Sequence, residues 1–350
     1  MSATRQRGYR RLTTTAVALV GAGALLAGCT GNTPESSGSG GGNNASSDND
    51  ASGDEVTIGF SAPAADHGWM AGITNAAKAV DEKYDDVEVQ VAEGTNDVST
   101  QISQVETFIN DKVDAIVLLP FDGAALTPVA LKAMQAGIPV INVDREFNSP
   151  FAARATILGD NYGMGVSAGT YICDQLGDKP GAVVAEIAGI DSLPLTQDRS
   201  RGFADALKDC GLKVSNRVAA EFTVESGEEA ASNLLQAAPH IDAMWNHDDD
   251  QGVGVLAAIK NANRSEFFMV GGAGSKNAMD AIKADDSVLK ATVIYPSTQA
   301  ADAIKTARLL VQEKAMADLV EVEVPRKITL NAPVVTKDNV DQYIGSAFSS

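Results

Sequence analysis

Basic residues are scarce in this chain, and histidine and aromatic residues are scarcer. Lys and Arg number 27 against 46 Asp and Glu. Four of those bases, Arg5, Arg7, Arg10 and Arg11, crowd the amino-terminal stretch, so beyond it 23 bases face 46 acids, a formal charge of −23. Phosphate backbones are bound through basic patches, so nucleic acid is excluded as a partner. Three His and three Cys leave few metal ligands. His247 precedes Asp248, Asp249 and Asp250, but no second His or Cys stands at ligand spacing, and no metal site is expected. Cofactor motifs are incomplete as well, and no cofactor is expected. Gly271-Gly272-Ala273-Gly274 lacks the Lys-Ser/Thr of a phosphate loop, and Gly252-x-Gly254 falls inside a helical stretch rather than before one. After Ala27 no apolar run approaches about 18 residues, so no transmembrane helix is expected.

What is present begins with a leader. The arginines are followed by the mostly apolar, acid-free stretch Leu12 to Ala27, the composition of a secretory signal. Its end, Leu26-Ala27-Gly28-Cys29, resembles the lipobox of bacterial lipoproteins. That resemblance implies cleavage after residue 28 and acylation of Cys29. Thr30 to Gly53 is Gly, Ser, Asn and Asp with no large apolar residue, a flexible tether. The expected location is outside the cytoplasm, lipid-anchored to the outer face of the cell membrane. Cys173 and Cys210 then remain. In an exported protein, near the ends of expected helices, they are expected to form a disulfide, the alternative being two unpaired small hydrophobes.

At 350 residues and 44% hydrophobic, the chain can build two domains or one large one. Strands are expected at Val56–Phe60, Val87–Val91, Ala115–Leu119, Pro139–Val143 and Ala155–Leu158, with helices over Gly68–Val80, Val98–Asn110 and about Ala124–Gln135, Pro128 in the first turn of the last. A second series follows, with strands at Ala182–Ile187, Val214–Phe222, Ala243–Trp245, Phe267–Val270 and Ala291–Ile294. Helices intervene near Arg199–Lys208, Gly227–Ala238, Gly252–Asn261 and Asn277–Ala284. A helix near Thr298–Gln312 and a short strand ending near Leu330 close the pattern. Strand starts step by about 31, 28 and 24 residues in the first half and about 32, 28 and 25 in the second, which implies two similar doubly wound parallel-sheet lobes.

Val140-Ile141-Asn142-Val143 is a buried parallel strand that ends in Asp144-Arg145. Open α/β sheets bind ligands beyond the carboxyl ends of their strands. There a carboxylate accepts and a guanidinium fork donates, which suits a small neutral polyhydroxyl ligand; the bland alternative is a surface ion pair. Ser61, His67, Trp69, Arg199, Phe222, Asp248 and Asp249 also fall near strand ends.

With these residues the chain resembles the type I periplasmic binding proteins of the ribose and galactose group, the solute receptors of ABC importers. The resemblance is carried by Thr57-Ile58-Gly59-Phe60-Ser61, Gly68-Trp69, Ile138 through Arg145, Gly159-Asp160-Asn161, Arg199-Ser200-Arg201-Gly202-Phe203, Trp245 through Asp249, and Val270-Gly271-Gly272. It implies two Rossmann-like lobes joined by a three-strand hinge, with crossings near Gly159-Asp160, Tyr295-Pro296 and Ile328. One lobe is then 54–159 plus 297–327 and the other 160–296 plus 328–350, after the signal at 1–28 and the tether at 29–53. It also implies a sugar site. His67 matches a polar contact to a hydroxyl, Trp69 and Phe222 match rings on the sugar faces, and Asp144, Arg145 and Arg199 match the groups that grip hydroxyls. Asp248 matches an acid or amide that reaches a hydroxyl, and Tyr295 stands where Gln is frequent. Ser61 and Asp249 complete the candidate set. Ala273 stands where the family usually offers Asp, so one hydroxyl contact is lost or is replaced by Asp248 or Asp249, which leaves the sugar open.

The expected function is capture of a monosaccharide and its delivery to ABC permease subunits, by a monomer anchored to the bilayer through Cys29. Competing readings are a receptor for a polyol, cyclitol or furanose-like signal molecule, and a sensor for a membrane kinase or chemoreceptor. A repressor of the same fold would need a basic helix-turn-helix in place of the leader. An enzyme is disfavoured, because Arg145 beside Asp144 keeps that carboxyl ionised and unsuited to general acid work.

Overall fold

The computed structural model of the chain describes residues 49–177, 179–314 and 324–350. The leader, Cys29, most of the tether and part of 297–327 lie outside the described residues. The first series runs β1 (Val56–Ser61), α1 (Gly68–Asp81), β2 (Val87–Val91), α2 (Val98–Asp111), β3 (Ala115–Leu118), α3 (Gly123–Gln135), β4 (Val140–Val143) and β5 (Ala155–Gly159). After α4 (Asn161–Leu176) the second runs β6 (Val184–Ala188), α5 (Pro194–Asp209), β7 (Val214–Ala219), α6 (Val224–Ala237), β8 (Ala243–Asn246), α7 (Asp249–Asn261), β9 (Phe268–Ala273), α8 (Lys276–Ala284) and β10 (Leu289–Ile294). Then come α9 (Gln299–Val311), β11 (Lys327–Leu330), β12 (Val334–Thr336) and the short α10 (Val340–Tyr343).

The strands make two sheets of six, ordered β11-β5-β4-β3-β1-β2 and β12-β10-β9-β8-β6-β7. Apart from the last-added strand the two orders are the same, so the two sequence series fold as two copies of one winding. All pairs are parallel except β10 with β12. β3, β4 and β8 are buried along their whole length, as strands covered on both faces must be, which explains their unbroken apolar runs. Side chains at the strand ends start the helices that follow. Asp97 accepts from the Thr100 N–H, Asp122 from Ala125, Asp160 from Gly163, and Ser275 from Ala278.

The chain passes between the sheets at three places. β5 leads into α4, which packs on α5 of the second lobe. β10 leads into α9, which packs on α1 and the first sheet. β11 pairs with β5, Ile328 opposite Ile157, and Leu330 accepts from the Asp160 N–H at 3.0 Å. The third crossing therefore lies after Leu330, not near Ile328 as the resemblance implied, because the ladder continues to the end of β5.

Two other differences have local causes. Pro128 sits in the second turn of α3 instead of the first, where it gives up one helix hydrogen bond. β7 stops at Ala219, and Phe222 lies beyond it at φ 62°. Cys173 and Cys210 form a disulfide that staples the end of α4 to the residue after α5. Among the described residues no helix is long and apolar enough to cross a membrane.

Candidate ligand-binding site

The carboxyl ends of the two sheets face one another. β1 and β4 bring His67, Trp69, Asp144 and Arg145 from the first lobe. α5 brings Leu195 and Arg199, and the turns after β7 and β8 bring Phe222 and Asp248. Tyr295 comes from the crossing after β10. With Met70 these side chains line one cavity of about 30 Å3. Asp144, Arg145 and Leu195 also wall a wider cleft of about 530 Å3 beside it.

Asp144 follows β4 at φ 61°, a left-handed conformation that Asp tolerates better than most residues. Its N–H is held by Ile157 O at 3.0 Å, which fixes the turn. Asp144 Oδ1 accepts from the Tyr295 hydroxyl, and Arg145 Nε lies 3.8 Å from Oδ2. Arg145 donates to Phe121 O at 2.7 Å, while its buried Nε makes no hydrogen bond within the protein. Phe222 is the more strained of the two turns, because a bulky residue at positive φ is unusual. Gln251 Oε1 accepts its N–H at 3.2 Å and holds it there.

Arg199 is buried, and its fork is aimed from behind. Nε donates to Asn161 Oδ1 at 2.9 Å and Nη1 to His247 O at 3.3 Å. The guanidinium lies 4.4 Å from the Tyr295 ring centre and 5.9 Å from that of Phe222, within cation–π range. Gly165 of α4 makes this placement possible, since a Cβ there would lie 2.0 Å from the Arg199 carbonyl. Burial, and then the Asp144 charge, push the Tyr295 phenol far above its ordinary value, so it is a neutral donor. Asn161 Nδ2 donates to the same hydroxyl at 3.1 Å.

Aromatic surfaces close the remaining sides. Trp69 Nε1 donates to Tyr295 O at 3.0 Å, with ring centres 5.5 Å apart. The His67 ring stacks on Phe222 at 6.4 Å, and its Nδ1 meets Asp66 Oδ1 at 2.6 Å, which leaves Nε2 for the cleft. Asp248 starts α7 through Oδ1, which accepts from the N–H groups of Asp250 and Gln251. Burial, and then the charges of Asp250 and Asp249, push its carboxyl well above the usual range. The cleft therefore combines rings, two guanidinium groups, one carboxylate and one carboxyl able to carry a proton. Carbohydrates present apolar faces rimmed by hydroxyls, and this set is complementary to both.

A model of the periplasmic binding protein domain matches residues 58–315. The chain belongs to the type I periplasmic binding proteins. It is similar to the ribose import binding protein RbsB of Bacillus subtilis, 32% identical over 257 residues that cover 71% of this chain and 82% of the relative. It is also similar to a xylitol-binding protein of Mycolicibacterium smegmatis, 29% identical over 280 residues, 78% of this chain and 76% of the relative. Among solved structures, an ABC transporter solute binding protein from Mycobacterium smegmatis with bound glycerol superposes with a TM-score of 0.74 at 26% identity, covering 85% of this chain and 99% of that one. Relatives of this kind bind substrates for transporters, and the chain is a binding protein rather than an enzyme.

Two residues expected to line the binding protein's cleft do not. Ser61 is fully buried at the end of β1, where its hydroxyl donates to Gln104 Oε1 and accepts from Gln101 Nε2. Asp249 points away from Asp248, and its carboxylate accepts from the N–H groups of Gly272, Gly274 and Ser275 and from the Thr292 hydroxyl at 2.8–3.0 Å. Those bonds occupy the N–H groups of Gly272, Gly274 and Ser275, which are then not available to an anion. Asp249 therefore does not replace the missing carboxylate at Ala273, which lies outside the small cavity that Asp248 lines. Among the described residues no His, Cys, Asp or Glu cluster could hold a metal ion.

Sequence reasoning missed Met70, Leu195 and Asn161 as lining or aiming groups. Asn161 lay inside a motif already quoted for the resemblance. Met70 and Leu195 carry no polar signal and become visible only when the lobes meet.

Proposed function

We propose that this protein captures a neutral monosaccharide or a closely related polyol between its lobes, outside the membrane, and hands it to the permease of an ABC importer. The convergence of Asp144, Arg145 and Arg199 with the rings of Trp69 and Phe222, from opposite lobes, carries this reading. His67, Asp248 and Tyr295 complete the set that contacts the ligand. Among the described residues the lobes are 54–159 with 297–330 and 160–296 with 331–350, and they hinge at the three crossings. Pockets for small ligands span about 300–1,000 Å3. The ligand therefore enters with the lobes apart, and closure follows because the bound molecule bridges both. The leader and Leu26-Ala27-Gly28-Cys29 support a lipid anchor on Cys29, with the protein acting as a monomer.

A polyol is the second reading. It is favoured by the similarity to the xylitol-binding protein and by Tyr295, whose ring narrows the cavity beside Asp144. A thermal-shift panel of pentoses, hexoses, polyols and inositols tests both readings. A ligand at about 1,000 times its Kd adds roughly 4 kcal/mol, several degrees for a protein of this size. A strong hit among sugars supports the first reading, a hit confined to polyols supports the second, and no shift across the panel contradicts both.

A further inference from the structure

Helix α1 begins without a cap of its own. His67 stands at its N-cap position and makes no side-chain bond to the first turn. The bond is supplied from the other lobe. Asp250 Oδ2 accepts the Trp69 N–H at 3.0 Å, and Asp250 is itself buried in the first turn of α7. One carboxylate thus stands at two helix amino-termini that meet across the cleft. Each such terminus carries about half a positive charge, so the two ends repel unless an anion lies between them. Gly68 permits the approach, since a Cβ there would lie 2.7 Å from Asp250 Oδ1 and 2.4 Å from Ser349 O.

Asp250 does not line the small cavity where Asp248 does, so it acts on the lobes and not on the ligand. We propose that Asp250 is a latch, a positioning residue whose bond to Trp69 holds the lobes together and seats the Trp69 ring before any ligand arrives. The bond forms only when α1 and α7 meet. It therefore sets the fraction of closed molecules, and apparent affinity scales with that fraction. A hydrogen bond to a charged group supports a change on the order of tenfold in the closed-to-open ratio.

The inference rests on the hinged-receptor reading for the motion, but its test needs no ligand, so a failed sugar screen leaves it decidable. Spin labels at the exposed positions Lys78→Cys on α1 and Glu228→Cys on α6, in the full chain carrying Cys29→Ser, report the separation of the lobes by double electron–electron resonance. The latch predicts a short-distance population in the parent. Asp250→Ala moves it to longer distances by roughly tenfold in ratio, and Asp250→Asn, which keeps an acceptor for the N–H but loses the charge, falls between Asp250→Ala and the parent. Gly68→Ala, made in the other lobe, reproduces the opening. If Asp250→Ala does not fold, Asp250→Asn decides, with longer distances supporting the latch and unchanged distances overturning it. Unchanged distances in a folded Asp250→Ala overturn it too, even with a lowered melting midpoint, because Asp250 then serves only its own lobe.

Discussion

The Tyr295 hydroxyl donates to Asp144 Oδ1, which ties the crossing after β10 to the end of β4. Both residues are buried, and the hydroxyl takes one of the two carboxylate oxygens. The other oxygen, the one nearer Arg145, is left for a donor entering the cleft. Tyr295→Phe leaves a buried carboxylate short of a donor. The expected cost is about 1–3 kcal/mol of stability, read by denaturant unfolding. An unchanged midpoint would show that water replaces the phenol without loss.

Arg199→Lys is expected to weaken ligand binding at least about tenfold, although charge is kept. The Arg199 fork spends Nε on Asn161 and Nη1 on His247 O while its plane faces Tyr295. An ammonium on a flexible stem cannot hold these directions together. Titration calorimetry with the best ligand of the panel checks this, and equal affinity would remove Arg199 from the site.

Away from the cleft, Arg308 and Asp86 form a buried pair, Nε to Oδ1 at 2.9 Å and Nη2 to Oδ2 at 2.7 Å. The Arg308 bond, aided by the Gly53 N–H and Gln312, holds the Asp86 carboxyl well below its ordinary 3.8. A depressed pKa adds stability that is fully present above the unfolded value and lost as pH falls through the folded one. The pair's contribution therefore begins to decline as pH falls below about 4 and is gone only once pH has dropped past the depressed folded value. Asp86→Asn is expected to cost about 3–5 kcal/mol at neutral pH, by stranding the guanidinium, and to flatten the acid limb of the stability curve. Unfolding at several pH values measures both effects.

Reduction of the Cys173–Cys210 disulfide frees a loop of 37 residues. On the chain-entropy account the expected loss is about 4 kcal/mol, read as the difference between unfolding curves with and without reductant. The bridge joins two helices of one lobe, so reduction should lower stability more than affinity.

The two-lobed winding was legible because nearly every strand is an apolar run followed by a helix start signal, as in Ala115 to Asp122. Asp144 and Arg145 were legible as candidates because they end such a run, and the structure places both in the cleft wall. Asp248 and Asp249 could not be told apart, since neighbours at a helix start point about 100° from each other and only the fold decides which faces the cleft. Ser61 was misread for the analogous reason on a strand, where the end residue can face either side. α4 has no clear bounds in the sequence, where Gly163, Gly165 and Gly169 weaken its helical signal, yet Gly165 is there to let Arg199 approach. The Asp250 contact was beyond sequence reasoning altogether, because its partner is 181 positions away in the other lobe.

The most direct test of the account is titration calorimetry of the best panel ligand against the parent chain and Asp144→Ala. The account predicts one site per chain in the parent and a loss of at least about a hundredfold in the variant, since Asp144 carries a charge-assisted contact in a buried cleft. Equal affinity in the two proteins would place the ligand elsewhere and contradict the site.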